Sequence, residues 1–317
     1  MKQNQLEVMK QVAERYYYFD QSQAEIAKEL QLSKPTVSRL LKKAKSEGYI
    51  KVELAFPISY KTRMEDRLQQ RYGLKEVFVY DSQTTQTTLI VEEMAKQFSS
   101  CLERLIQPQS VTGFSWGRTL FHLSKHCTGT AKKGAIITQI TGGGALNSMQ
   151  TNSEAIITNF ANCYQSEWFQ LPVPSILETK EVAQALKNDR HIKQVLSLYD
   201  RLDTVVFSVG EISKEAIIVK AGYFGEEEFL RLTEQGIVGD IAGNFIDDLG
   251  RGVDTGISER RIGITLEQVK KTPNKVCIAV GTEKQKVVKG ALQGGCIDYL
   301  FVDAGLAESL LKEAENE

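Results

Sequence analysis

Apolar side chains in the first fifty residues recur at helical spacing. Leu6, Met9, Val12, Ala13 and Tyr16 predict one helix, and Ile26 and Leu30, four apart, predict a second. The period breaks at Leu32–Ser33 and resumes at Val37, Leu40, Leu41 and Ala44. Ser33 suits the N-cap of this third helix. Pro35 falls in its first turn, where a missing N–H costs nothing. Small Ala27 lies where two helices must approach closely. Two short helices, a three-residue turn and this stripe predict a helix-turn-helix. The aromatic run Tyr16–Phe19 is expected to buttress it from behind. Glu47-Gly48 reads as a helix stop. Tyr49–Leu54 alternates as a strand, which predicts a winged variant, and Pro57 and Ser59 mark a linker.

Beyond residue 58 helices alternate with short apolar strands. Met64, Leu68 and Tyr72 stripe a helix ending at Gly73, and helices are predicted over 86–106, 117–124 and 153–162. Strands are predicted at 77–80, 110–114, 135–140, 204–209, 276–280 and 299–302. Repeated β-α order of this kind predicts a mostly parallel, doubly wound α/β sheet covered on both faces. The expected boundaries are 1–56 for the helix-turn-helix and 57–317 for a larger Rossmann-like domain. The 317 residues contain neither an internal repeat nor a low-complexity tract.

Charge sharpens the picture of the first unit. From Ser33 to Lys45 there are five basic side chains and no acidic one. Outward positions of the third helix are Lys34, Thr36, Ser38, Arg39, Lys42 and Lys43. Ser33, short hydroxyls and Arg39 near the helix start are placed to reach base edges, and the lysines to neutralise phosphates. A net charge of −1 conceals a division: residues 1–55 carry ten Lys/Arg against seven Asp/Glu, and the remainder 29 against 33. A basic head on a mildly acidic body suits contact with double-stranded DNA at one end only. No apolar run reaches the roughly 18 residues of a membrane span. The N-terminus lacks the layout of a signal peptide. Five scattered cysteines without CxxC spacing read as reduced thiols of a cytoplasmic protein. His122, His126 and Cys127 share one helical turn, yet no further ligand lies at metal-binding spacing, so no metal is expected.

Ligands of doubly wound sheets sit beyond the carboxyl ends of the strands. Five loops rich in glycine or small polar residues are candidates there. Thr112–Thr119 leaves a strand and opens a helix, so its N–H groups and helix dipole favour an anion; Ser115, Arg118 and Thr119 add hydroxyls and charge. Gln139–Gly144 follows a strand with three consecutive glycines, permitting close backbone approach to a phosphate or sugar. Val209-Gly210-Glu211, Gly239-Asp240 and Gly281–Lys284 complete the set, with Asp240 suited to sugar hydroxyls and Lys284 to an anion. Together they point to a small phosphorylated polyol.

The serial order of motifs resembles the SorC family of bacterial sugar-sensing (DeoR-like) transcriptional regulators. The likeness runs through Ser33–Leu41, Ala44, Glu47–Tyr49, Gly113, Ser115–Thr119, Gly142-Gly143, Val209-Gly210, Gly222-Tyr223, Val238–Ile241, Arg261–Ile264 and the Lys284 segment with Gly290–Leu292. It implies an N-terminal DNA-binding domain and a C-terminal effector domain similar to sugar-phosphate isomerases and deaminases. It also implies a homo-oligomer, usually a tetramer built as a dimer of dimers, and a phosphorylated sugar as effector. Carried over residue by residue, the contacts fall on Gly113, Ser115, Gly117, Arg118, Thr119, Gly142, Gly143, Asp240 and Lys284. Some relatives have a lysine just ahead of the paired glycines. Thr141 stands there in this chain, so binding at that position is expected to be non-covalent. No cofactor is implied.

Two other functions share the predicted fold. One is a sugar-phosphate isomerase or deaminase carrying a DNA-binding head; Asp240 or Glu211 would be its base, but no acid/base pair at convincing spacing supports it. The other is a scaffold whose body only oligomerises.

Overall fold

The computed structural model describes residues 3–19, 21–46, 49–50, 60–84, 86–143 and 151–312. The chain divides into two compact units, Met1–Pro57 and Ile58–Glu317.

The first unit contains helices α1 (Gln3–Tyr17), α2 (Gln23–Glu29) and α3 (Lys34–Ser46). Ser22 caps α2 with a reciprocal box: its hydroxyl accepts from the Glu25 N–H, and the Glu25 carboxylate accepts from the Ser22 N–H. The Ser33 hydroxyl accepts from the Thr36 N–H at 3.3 Å, as its N-cap position predicts. Met9, Val12, Ile26, Ala27, Val37, Leu40, Leu41 and Ala44 form one buried core. The aromatic run departs from expectation. Only Tyr16 packs on this core, while Tyr18 and Phe19 are 84% and 71% exposed. The reason is local: α1 ends at Tyr17, and both following N–H groups turn back onto the Glu14 carbonyl. The helix stop at Glu47-Gly48, most of the wing strand and the Pro57–Ser59 linker lie outside the described residues.

The second unit opens with α4 (Tyr60–Tyr72), β1 (Glu76–Tyr80), α5 (Thr87–Leu105), β2 (Val111–Phe114), α6 (Arg118–Lys125) and β3 (Ile136–Gln139). Then come α7 (Ser153–Tyr164), β4 (Glu167–Phe169), α8 (Lys180–Asn188), α9 (Arg190–Leu196), β5 (Thr204–Phe207) and β6 (Val209–Glu211). An insertion follows with α10 (Ile217–Lys220), α11 (Glu226–Leu230), β7 (Gly239–Ile241) and β8 (Asn244–Ile246). The chain ends with α12 (Leu266–Lys271), β9 (Asn274–Ala279), α13 (Gln285–Gln293), β10 (Tyr299–Asp303) and α14 (Ala304–Lys312). Seven strands make one parallel sheet in the order β1-β10-β9-β5-β2-β3-β4.

Successive strand residues feed opposite cores, as the period of two requires. Val205, Phe207, Cys277, Ala279, Leu300 and Val302 face the core shared with α4, α13 and α14. Val206, Val276, Ile278, Tyr299 and Phe301 face the core shared with α5, α6 and α7. Several parts of the fold depart from the expected pattern, and helices α8 to α12 fall in stretches where no element is predicted. Edge strand β4 was not foreseen. Neither was the small antiparallel sheet β6-β7-β8, into which the supposed loops at 209–211 and 239–240 fold.

Gln31, in the turn of the helix-turn-helix, sits at φ +53° and is exposed. A side chain costs about 1 kcal/mol in this left-handed region, and glycine costs little. Gln31→Gly is expected to stabilise the head by about 0.5–1 kcal/mol, slowing hydrogen exchange of α2 and α3 amides roughly two- to fivefold. Faster exchange would show that the turn is not strained.

Candidate functional site

On the first unit, α3 presents Lys34, Arg39 and Lys42 exposed, and Thr36, Ser38 and Lys43 half-buried. The Ser33 and Thr36 hydroxyls bond each other at 2.8 Å, so both serve the helix start. Behind the helix, the Lys45 ammonium lies 5.7 Å from the Tyr17 ring centroid.

On the second unit a cavity of about 220 Å³ opens where β2 and β5 lie side by side. β2 leads outward to β3 and β4, whereas β5, β9 and β10 fill the opposite side, so the strand order reverses at this pair. Ligands of open α/β sheets bind at such reversals. The loop after β2 contributes Ser115, Gly117, Arg118 and Thr119. The stretch after β5 contributes Ser208, Gly210 and Glu211, and the turn after β9 contributes Lys284. Asp240 and Gly243 enter from the insertion, and Thr87 and Thr88 from the start of α5. The structure thus gathers six of the nine expected effector contacts: Ser115, Gly117, Arg118, Thr119, Asp240 and Lys284.

Gly113, Gly142 and Gly143 do not line the cavity, and their roles require correction. A Cβ on Gly113 would come within 2.3 Å of the Ile140 side chain; one on Gly142 would come within 2.6 Å of the Val173 and Pro174 carbonyls. A Cβ on Gly143 would strike the Ser153 hydroxyl at 2.2 Å. All three are glycine because neighbouring chain packs against them. Gly142 also offers its carbonyl to the Trp116 indole N–H at 2.9 Å, which anchors the loop that carries Arg118. Gly117 differs. Nothing lies near its missing Cβ, but its φ of +140° reserves the position for glycine.

Helices α5 and α6 both begin at the cavity, and neither has a side chain capping its first turn. Their free N–H groups and dipoles supply positive potential beside Arg118. The carboxylates Glu211, Asp240 and Glu283 also line the cavity. Gly210 pairs with Asp240 across β6 and β7, and a Cβ there would meet Asp240 Oδ1 at 2.2 Å. Asp240 Oδ2 accepts from the Gly243 N–H at 2.7 Å. Burial, aided by Glu211, pushes the Asp240 carboxyl up to about 6. Lys284 Nζ lies 3.5 Å from the Ser208 hydroxyl. The cavity therefore combines donors and positive charge, from the two helix starts, Arg118 and Lys284, with the carboxylates of Glu211, Asp240 and Glu283. His122, at the rim, faces Glu92 of α5 at 3.6 Å, and His126 faces the same carboxylate at 4.0 Å. Among the described residues no three such groups converge as a metal site.

The family model of the sugar-binding domain, Sugar-bind, matches residues 57–312, and the MarR family model matches residues 13–55. The deoxyribonucleoside regulator of Bacillus subtilis is 30% identical over 303 residues, covering 96% of each chain. The sorbitol operon regulator of Klebsiella pneumoniae is 27% identical, covering 95% of this chain and 96% of its own. The crystal structure of full-length SorC from Klebsiella pneumoniae superposes with a TM-score of 0.74 at 28% identity, covering 97% of this chain and 99% of that one. The chain belongs to the SorC family of sugar-binding transcriptional regulators. Its relatives regulate transcription through a helix-turn-helix joined to this domain.

Sequence inspection overlooked several cavity residues of this SorC-family chain. Thr87, Thr88, Ser208 and Ser175 line it without any glycine signal. Thr141 is also in the wall, its hydroxyl donating to the Ala242 carbonyl at 3.3 Å. Ser175 arrives because Gly142 lets the 173–174 backbone approach. No helix among the described residues is long and apolar enough to cross a membrane.

A raised carboxyl pKa gives a stability that is complete below the unfolded value near 4 and is lost as pH rises through about 6. The ligand-free protein is therefore expected to lose on the order of 2 kcal/mol between these limits through Asp240. Asp240→Asn, which keeps an acceptor for Gly243, should flatten that part of the urea-midpoint profile. An unchanged profile would place the titration elsewhere.

Proposed function

We propose that the chain is a cytoplasmic, non-catalytic regulator of a carbohydrate operon, controlled by non-covalent binding of a phosphorylated sugar in the β2–β5 cavity. Residues 1–56 form its DNA-binding domain, and residues 57–317 bind effector and build a homotetramer. One observation carries the ligand class. Two helix N-termini without side-chain caps, Arg118 and Lys284 share one cavity with the carboxylates Glu211, Asp240 and Glu283 and several hydroxyls. The first set matches a phosphate and the second a polyol. Arg118 is exposed and at the start of α6, so it is available to a bound anion at little structural cost.

A thermal-shift panel of pentose and hexose phosphates, each beside its unphosphorylated sugar, tests this. Only phosphorylated members should stabilise the protein, by about 2.7 kcal/mol at 100 times the dissociation constant. Arg118→Ala should abolish the shift while leaving the ligand-free melting temperature unchanged. Equal shifts with and without phosphate would contradict the anion role, and no shift with any sugar would favour a purely structural body. Turnover of the same panel, absent on this account, would instead favour an isomerase or deaminase.

At the head, Arg39→Ala is expected to lower discrimination between operator and random DNA by about 1–3 kcal/mol. Lys42→Ala should weaken both alike and reduce the salt slope by about one. Identical salt slopes in Lys42→Ala and wild type would remove Lys42 from the phosphate contacts.

A further inference from the structure

Two hydroxyls of the cavity lining, those of Ser115 and Ser175, are buried and have no hydrogen-bond partner within the protein. Each has given up water on folding and received nothing in exchange. Ser115 belongs to the loop that carries Arg118. Ser175 comes from the stretch after β4, and that stretch is clamped. The Ser175 carbonyl accepts from the Ile262 N–H at 3.0 Å, and its N–H donates to the Tyr223 hydroxyl at 3.1 Å. Tyr223 in turn stacks on Trp116, with ring centroids 6.5 Å apart. On one side of Ser175, the Val173 and Pro174 carbonyls pack against Gly142 too closely for any Cβ. On the other, Ile176 forms a bridge to Arg261. Both backbone groups of Ser175 are thus engaged, and its hydroxyl is the group left over. That hydroxyl lies 3.7 Å from where a Cβ of Gly243 would sit, in the turn whose N–H binds Asp240. Arg261 reaches the same spot, its Cδ at 3.4 Å, but its guanidinium is committed to Ala242, Asn244 and Ile264.

We propose that Ser175 is a specificity-determining residue of the cavity, whose hydroxyl donates to an oxygen on the effector's carbon chain beside Asp240. The assignment rests on the phosphorylated-sugar reading of the cavity. A sugar hydroxyl set over Gly243 donates to the Asp240 carboxylate and accepts from Ser175, so both of its hydrogen-bonding roles are filled at once. Gly243 suits that place because it has no side chain to occupy it, and its φ of +78° keeps the position for glycine. Ser175 is fully buried whereas Arg118, at the start of α6, is exposed, so the two meet a ligand at different depths. Backbone bonds already hold Ser175 in place, so little ordering is needed when the ligand arrives. A deoxy sugar lacking that oxygen leaves the hydroxyl as unsatisfied as it is in the free protein and gains nothing from it.

Calorimetric titration of the full-length protein and its Ser175→Ala variant with the same pentose and hexose phosphates, and with inorganic phosphate, tests this. The sugar phosphate that wild type binds most tightly should lose about three- to tenfold in affinity in Ser175→Ala. Inorganic phosphate has no carbon chain to reach Ser175 and should bind both proteins alike. The ligand-free melting temperature should hold or rise, since alanine removes an unsatisfied hydroxyl. Equal sugar-phosphate affinities in the two proteins would overturn the role of Ser175 and leave the phosphorylated-sugar reading standing. So would an equal loss for sugar phosphate and inorganic phosphate, or a lowered ligand-free melting temperature, because the hydroxyl would then serve the fold. If no sugar phosphate binds wild type, the reading itself fails, and this assignment with it.

Discussion

A parallel sheet delivers the carboxyl end of every strand to one edge, and each crossover helix restarts from that edge. Positive helix ends and strand-end loops therefore collect on the same side of the molecule without any residue being chosen for a ligand. What selects a particular spot is the reversal of strand order between β2 and β5. Neighbouring crossovers go to opposite sides there, and a crevice opens between them. In this chain the crevice is flanked by the starts of α5 and α6, so its electrostatics follow from the winding.

The part of the cavity lining that comes from the insertion after β5 depends on a buried cation. Arg261 is 7% exposed; it donates to the Ala242 carbonyl at 3.1 Å, to Asn244 Oδ1 at 2.6 Å and to the Ile264 carbonyl. Burial holds its guanidinium down at about 10. These bonds, with that from Thr141, secure Ala242 at φ +50°, an unfavourable conformation for alanine. The turn so held presents Asp240 and Gly243 to the cavity. Helix starts placed by the winding thus share one cavity with Asp240, which an insertion places there.

Much of this was legible in the sequence because two periods carry it. The 3.6-residue stripe of α3 and the short apolar runs of β2, β5, β9 and β10 have no plausible alternative. Strands of three residues, as in β4, β6, β7 and β8, are too short to display a period, so the small sheet passed for loops. Glycine was the ambiguous signal. Gly117 marks the site because its backbone conformation demands it, whereas Gly113, Gly142 and Gly143 mark places where chain packs on chain. The sequence writes the same letter for both. Ser175 and Ser208 could not be found at all, since ordinary serines reach the cavity only through tertiary folding.

Amide hydrogen exchange at the starts of α5 and α6 tests most directly whether these two helix ends form one anion cradle. On adding a phosphorylated sugar that binds, the N–H groups of residues 87–89 and 118–120 should gain protection together, and the matching unphosphorylated sugar should leave both unchanged. Protection confined to one helix, or appearing away from the β2–β5 edge, would contradict the account.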